Sequence, residues 1–460
     1  MEEAKISKRV LGAIIATGIM SFSGVLVETA MNVTFPTLMR EFGVSIDLVQ
    51  WMTTIYLLMV AIVVPLSSWF KKNIKMRTLF LLAISFFILG VVTDAIAMNF
   101  PVLLLGRLIQ GIGVGIALPL MFNIILEQVP KAKLGVMMGI GTLITSIAPA
   151  IGPTFGGVMV TSLGWRFIFI ILLPFLLVAM ALGLKTIDQK SALIPSRFNG
   201  LNLIFIMLMF IGLILASSNI IQIGQKPLLF WLPLVIGIIG VIGFFYLNQR
   251  ANPLVDVRVL KNLNFAGHAI SFAILQSMVL GLSFVLPNYI QLVDGGSATK
   301  AGLIVLPGSI LGAIFSPLGG RILDRFGARR PLLFGATLLV LSLTLFSVFG
   351  QRLNPLTILM INLIFMVGFG LSLGNVMTSG LNQINASQKA DGNALLTTIQ
   401  QFAGALGTAI PAAIVAIAQA SQGLTESRST AIGSQHVLIM FAILAVVHFI
   451  ILFKVVKTQD

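Results

Sequence analysis

Most of the 14 acidic residues of this chain lie in short polar stretches, but Glu28 and Asp94 stand inside long apolar runs. Holding a charge in hydrocarbon costs at least about 2.5 kcal/mol, so an acid kept there is a functional candidate expected to face a protein interior or aqueous cavity. Asn32 follows Glu28 by four residues and shares its helix face, which makes a polar stripe. An acid so placed can take up and release a proton. The other reading is a protonated structural glutamate bonded to a neighbour. Asp94 lies four residues before Met98, where its run ends, and reads equally as a relay or as a solvated interfacial acid. Arg107 also falls in an apolar run. It keeps its proton at ordinary pH and therefore needs anionic or carbonyl partners, either to take part in proton exchange or as a clamp on backbone carbonyls. Gln110 follows three residues on, nearly on the same face.

Other polar side chains in apolar runs are Gln50, Thr53 and Tyr56, then Asn123, then Gln400 and Gln401. Each can offer hydrogen bonds to a bound solute or satisfy a neighbouring helix. His268, His436 and His448 lack metal-ligand spacing, and with no cysteine in the chain there is no thiolate site or disulfide, so neither metal nor cofactor is expected. The 33 Phe and 20 Met supply surfaces able to repack around varied apolar ligands, although most must serve helix packing and lipid contact. With so few carboxylates in apolar runs, neutral lipophiles or monovalent cations suit the chain better than multiply charged solutes.

Membrane helices must position these groups. Of 460 residues, 57% are apolar and 9% charged, which excludes an ordinary soluble domain. Apolar runs of spanning length occur near 9–38, 48–70, 78–98, 101–126, 134–160, 165–184, 201–221, 228–247, 265–292, 301–322, 331–349, 355–380, 391–418 and 436–455. Fourteen spans leave no loop with room for a folded domain. The net charge of +15 reflects orientation rather than nucleic-acid binding, because placing the N-terminus in the cytoplasm leaves only Arg40, Arg166, Lys226, Lys300, Arg352 and Arg428 on the outer side. Both termini are thus expected in the cytoplasm. The first run is too long for a cleaved signal segment.

Pro65 precedes Arg77 by the same interval that separates Pro317 from Arg329. The match aligns spans one to six with spans nine to fourteen and leaves seven and eight as an insertion. The predicted fold is an all-α polytopic membrane protein, with one six-helix bundle over 1–190, an inserted pair over 191–255 and a second bundle over 256–460. Parallel six-helix repeats around a midplane site are a transporter architecture. Within the fifth span, Gly152 and Gly156 stand four apart and clear one helix face for close approach by a partner, while Pro153 and Gly157 complete an uncharged segment that only a membrane tolerates.

Several segments resemble the major facilitator superfamily, and within it the fourteen-helix drug:proton antiporters of the EmrB/QacA type, close to lincomycin-resistance exporters. They are Glu28 to Pro36 in the first span, Leu103 to Gly115 with Arg107, Gln110 and Gly111 in the fourth, and Gly152 to Gly157 in the fifth, which resembles the antiporter motif. Pro287 to Gln291, Leu306 to Ser309 and Thr398 to Ala409 are similar to the same subfamily. Gly320 to Arg330, with Asp324, Arg325, Gly327, Arg329 and Arg330, resembles the superfamily's cytoplasmic loop signature, whereas Ser67 to Arg77 departs from it, with Lys72 where the repeat places Asp324. The resemblance implies a proton-coupled multidrug exporter of the cell membrane, with Glu28 and Arg107 as proton-coupling candidates, to which the position of Asp94 in an apolar run adds a third. Its implied partners are small lipophilic substrates, protons and the lipid bilayer, with no nucleic acid, no obligate protein partner and no covalent catalysis. An exporter of one endogenous metabolite on the same scaffold is the second reading.

Overall fold

The computed structural model describes residues 6–130, 134–189, 192–193, 198–223, 226–248, 257–385, 388–420 and 425–456. Its helices are α1 (Lys8–Asn32), α2 (Phe35–Phe42), α3 (Ile46–Val49), α4 (Trp51–Val63), α5 (Ser67–Asn73), α6 (Met76–Ala95), α7 (Phe100–Gln128), α8 (Leu134–Ser162), α9 (Phe167–Ile170) and α10 (Leu172–Thr186). The chain continues with α11 (Gly200–Ser218), α12 (Leu228–Asn248), α13 (Leu263–Leu292), α14 (Ala298–Phe326), α15 (Arg329–Phe349), α16 (Pro355–Leu381), α17 (Lys389–Gln419) and α18 (Glu426–Val455). Among the described residues thirteen helical segments are long and apolar enough to cross a membrane, and the 29-residue α8 stands between the fourth and fifth of them, where a fifth span is expected.

Short polar caps and prolines set the helix starts. Asn99 and Asn354 each accept a backbone N–H from the first turn of the helix they precede, and Pro101 and Pro355 occupy first-turn positions where a missing N–H costs nothing. Proline also explains where the expected spans differ from the helices. The first run breaks after Asn32 because Pro36 opens a separate helix, α2, and the second bends through a 3₁₀ turn at Val64–Leu66 around Pro65. At the other end of the chain α18 begins at Glu426, well before the apolar run, with Ser429, Thr430 and Ser434 buried in its polar first turns.

Two seams join residues 1–190 to residues 256–460: α8 lies along α14, and α4 lies along α17. Aligning spans one to six with nine to fourteen makes these two seams equivalent to each other. The inserted α11 and α12 pack chiefly on one another, so closely that a Cβ on Gly212 would stand 2.6 Å from the Cα of Gly237. Helix α11 also reaches α17, where Phe210 stacks on Phe402 at 4.8 Å.

Glycines of the fifth span let α8 pack closely on both α1 and α14. Gly152 and Gly156 face α1, where a Cβ on either would come within 2.9 Å of Thr29 Cβ or Ala30 Cα. Gly157 faces the other way, and its added Cβ would meet the Ala298 carbonyl carbon at 2.9 Å and Thr299 Cα at 3.0 Å. Thr154 Oγ1 donates to the Gly302 carbonyl at 3.1 Å, and Thr299 Oγ1 donates to the Gly157 carbonyl at 2.9 Å. Close backbone approach of this kind is how membrane helices pack without a hydrophobic driving force.

Candidate functional site: a buried polar cluster on α1, α4 and α7

The polar stripe of α1 faces α4 and α7, and a network of bonds runs between them. Thr53 Oγ1 donates to Asn32 Oδ1 at 2.9 Å, and Asn32 Nδ2 donates onward to Ser283 Oγ of α13 at 3.2 Å. Tyr56 OH donates to the Gly24 carbonyl at 2.9 Å. This close approach is possible because Gly24 has no side chain, since a Cβ there would lie 3.1 Å from the Tyr56 hydroxyl. Gln50 bonds Thr54 and reaches Ser218 Oγ of α11 at 3.5 Å.

Arg107 occupies the centre of the α7 side. It is fully buried, its Nε donates to the Met52 carbonyl at 3.1 Å, its Nη1 donates to Gln110 Oε1 at 2.7 Å, and its guanidinium lies 4.2 Å from the centroid of the Tyr56 ring. A carbonyl, an amide oxygen and a ring face each supply negative potential, which a buried guanidinium needs. Glu28 is 8% exposed and lies within electrostatic reach of both Arg107 and Tyr56. The cluster therefore holds a carboxyl group near a fixed positive charge, buried among helices.

Asp94 is fully buried, which removes the solvated interfacial reading. Its carboxyl lies against Gly106, one residue before Arg107, and a Cβ at Gly106 would come within 2.6 Å of Asp94 Cγ. Neither of its oxygens has a hydrogen-bond partner. Asn123, Gln400 and Gln401 are half-buried on α7 and α17 and stand outside this bonded set.

The cluster also uses groups that the sequence reading missed. Ser283 and Ser218 are serines among many, and the Gly24 and Met52 carbonyls are backbone. One signal was available, since the offset that carries Pro65 onto Pro317 carries Asn32 onto Phe284, next to Ser283.

Elsewhere, His268 bonds the Asn264 carbonyl at 2.7 Å and Ser379 Oγ at 3.0 Å, as a structural histidine would. In the loop after α14, Gly327 adopts φ +76, a conformation that suits glycine. Gly320 has open space where a Cβ would point. Arg325 and Arg330 lie 5.3 and 5.8 Å from the Phe326 ring, and Arg329 lies 5.3 Å from Phe453. The Asp324 side chain lies outside the described residues. On a different face of α1 from Glu28, an apolar pocket of about 470 Å³ is lined by Ile15, Ile19, Phe22, Phe155 and Phe175.

Comparisons with known proteins agree with this architecture. The lincomycin resistance protein LmrB of Listeria monocytogenes is 34% identical over 409 residues, covering 88% of this chain and 87% of its own length. LmrB of Bacillus subtilis is 33% identical over 418 residues, with 89% and 86% covered. A multidrug resistance protein B homologue of Mycobacterium tuberculosis is 26% identical over 410 residues, with 87% and 75% covered. Among solved structures, a bacterial homologue of the human lysosomal transporter Spinster superposes with a TM-score of 0.69 at 17% identity, covering 97% of this chain and 96% of that one. A D-xylose-proton symporter gives 0.69 at 15% identity, with 98% of each chain covered. The model of the Major Facilitator Superfamily matches residues 17–408, and the chain is a member of that superfamily of membrane transporters.

Proposed function

We propose that the protein is a proton-coupled multidrug exporter of the cell membrane, moving neutral or monocationic lipophiles outward as protons move in. The observation that carries this reading is Glu28, an acid set in a membrane-spanning helix beside the buried Arg107–Tyr56 pair, where its charge state is felt by the whole cluster. Relatives named for lincomycin and multidrug resistance support the substrate class. Both termini are read as cytoplasmic, with residues 1–190 and 256–460 rocking about the cluster and 191–255 as an added pair.

Among the described residues, hydrogen bonds between those two parts gather at the membrane face opposite the termini. They are Asn32 to Ser283, Gln291 Nε2 to the Val33 carbonyl at 3.1 Å, and the Thr154, Thr161 and Thr299 bonds along α8 and α14. The Phe35 and Phe284 rings meet there at 5.7 Å. Under the proposed orientation this is an inward-facing state, closed on the outer side. Everted membrane vesicles test the function. Energised vesicles carrying the protein should accumulate ethidium, and a protonophore should abolish the accumulation. Uptake that survives the protonophore and follows added ATP would reject proton coupling.

A further inference from the structure

We propose that Asp94 is a second proton-binding carboxyl, and that Arg107 changes partners between the Gln110 amide and the Asp94 carboxylate as that proton leaves and returns. The inference deepens the proton-coupled reading above. It rests on three buried side chains with unpartnered polar atoms, gathered where α6 meets α7. Both Asp94 oxygens lack a hydrogen-bond partner, Arg107 Nη2 lacks an acceptor and Gln110 Nε2 is likewise unbonded, although all four atoms are buried. Gly106 is what brings the acid to the α7 backbone, since any side chain there would displace the carboxyl.

An ionised carboxylate left without a donor in such a seam is strongly unfavourable, whereas a carboxyl that keeps its proton is far less so. The conformation described here therefore suits the protonated acid, with Arg107 bonded to Gln110. Loss of the Asp94 proton to the aqueous phase would leave a buried anion against Gly106, the residue before Arg107, within electrostatic reach of the guanidinium. The unbonded Arg107 Nη2 is then a free cationic donor, and a guanidinium–carboxylate bond, with both partners charged, would be stronger than the guanidinium–amide bond to Gln110 that it replaces. That exchange would pull the guanidinium away from Tyr56, whose hydroxyl ties α4 to α1 at Gly24, and so transmit the proton's departure to the helix that carries Glu28.

The surroundings leave few competitors for this role. Charged or titratable groups around Asp94 are Arg107 from α7, with Tyr56 and Glu28 beyond it, and Arg166, whose Nη2 donates to the Ala97 carbonyl at 2.6 Å just past the end of α6. Arg166 is itself paired with Glu41 at 2.8 Å. Helix α9 carries no such group, and α10 has only Lys185, at the other membrane face.

Infrared difference spectroscopy of the purified full-length protein, taken across a pH titration without substrate, tests the proposal directly. Wild-type protein should show a protonated-carboxyl C=O band that Asp94→Asn removes and Glu28→Gln leaves in place. In everted vesicles Asp94→Asn should lower gradient-driven ethidium uptake by about tenfold or more and flatten its dependence on pH. Gly106→Ala, which keeps the acid but moves it, should shift the pH midpoint of both readouts. An unchanged infrared spectrum in Asp94→Asn, or a wild-type pH profile in that variant, overturns the inference while leaving the reading of Glu28 standing. Failure of wild-type vesicles to respond to the proton gradient would instead defeat the broader reading.

Discussion

Three unlike groups hold Arg107: a carbonyl, an amide oxygen and an aromatic face. Lysine offers neither the fork nor the flat surface, so Arg107→Lys should reduce ethidium efflux by about tenfold or more while the protein still elutes as a folded species on size-exclusion chromatography. Glu28→Gln keeps the size and hydrogen-bonding capacity of the side chain but cannot ionise. Substrate-induced proton release from the purified protein should vanish in this variant, and Glu28→Asp should retain part of it. Efflux near the wild-type rate in Glu28→Gln would make the residue structural. At this scale the sequence reveals the costly groups, because an acid or arginine in an apolar run is conspicuous in any fold. Their partners are another matter. A backbone carbonyl such as that of Met52 carries no side-chain signature, and Asn123 looked no different in sequence from Thr53, which lies in the cluster.

Helices in this molecule are placed by glycine and proline as much as by apolar length. Gly157 opposes the α14 backbone across the seam between the two parts, so Gly157→Ala should overpack it by about 1–3 kcal/mol and loosen closure of that face. Gly374, seven residues before the end of α16, has nothing within 4 Å of an added Cβ. Its alanine variant should stay within about 0.5 kcal/mol of wild type and serves as the control. Thermal unfolding in detergent, followed by intrinsic fluorescence, measures both, and equal midpoints would mean the seam is looser than described. Span positions were legible from the apolar runs, since a membrane imposes a length on any helix that crosses it. Their ends were less so. Breaks after Asn32 and at Pro65 need local turn geometry, and the polar start of α18 is buried by its neighbours rather than by lipid. The direction faced by each glycine was also beyond the sequence, which showed Gly152 and Gly156 as one face but not that Gly157 belongs to the opposite seam.

On the scale of the whole molecule, the sequence suggests a repeat but not which helices meet across it; α4 packs on α17 and α8 on α14, positions that the repeat alignment would exchange. The orientation proposed from the placement of Lys and Arg is open to a clean test because the chain has no cysteine. Lys75→Cys should react with an impermeant maleimide only in everted vesicles, and Met98→Cys only in intact cells; labelling of both from one side would reverse or break the topology. The central claim concerns energy. Purified protein reconstituted into liposomes, with no nucleotide present and a pH gradient imposed across the bilayer, measures it most directly. Ethidium should move against its own gradient, opposite to the proton flux, and the movement should be lost in Glu28→Gln. Ethidium that stays at equilibrium under the pH gradient, or accumulates equally in the Glu28→Gln protein, would contradict the account.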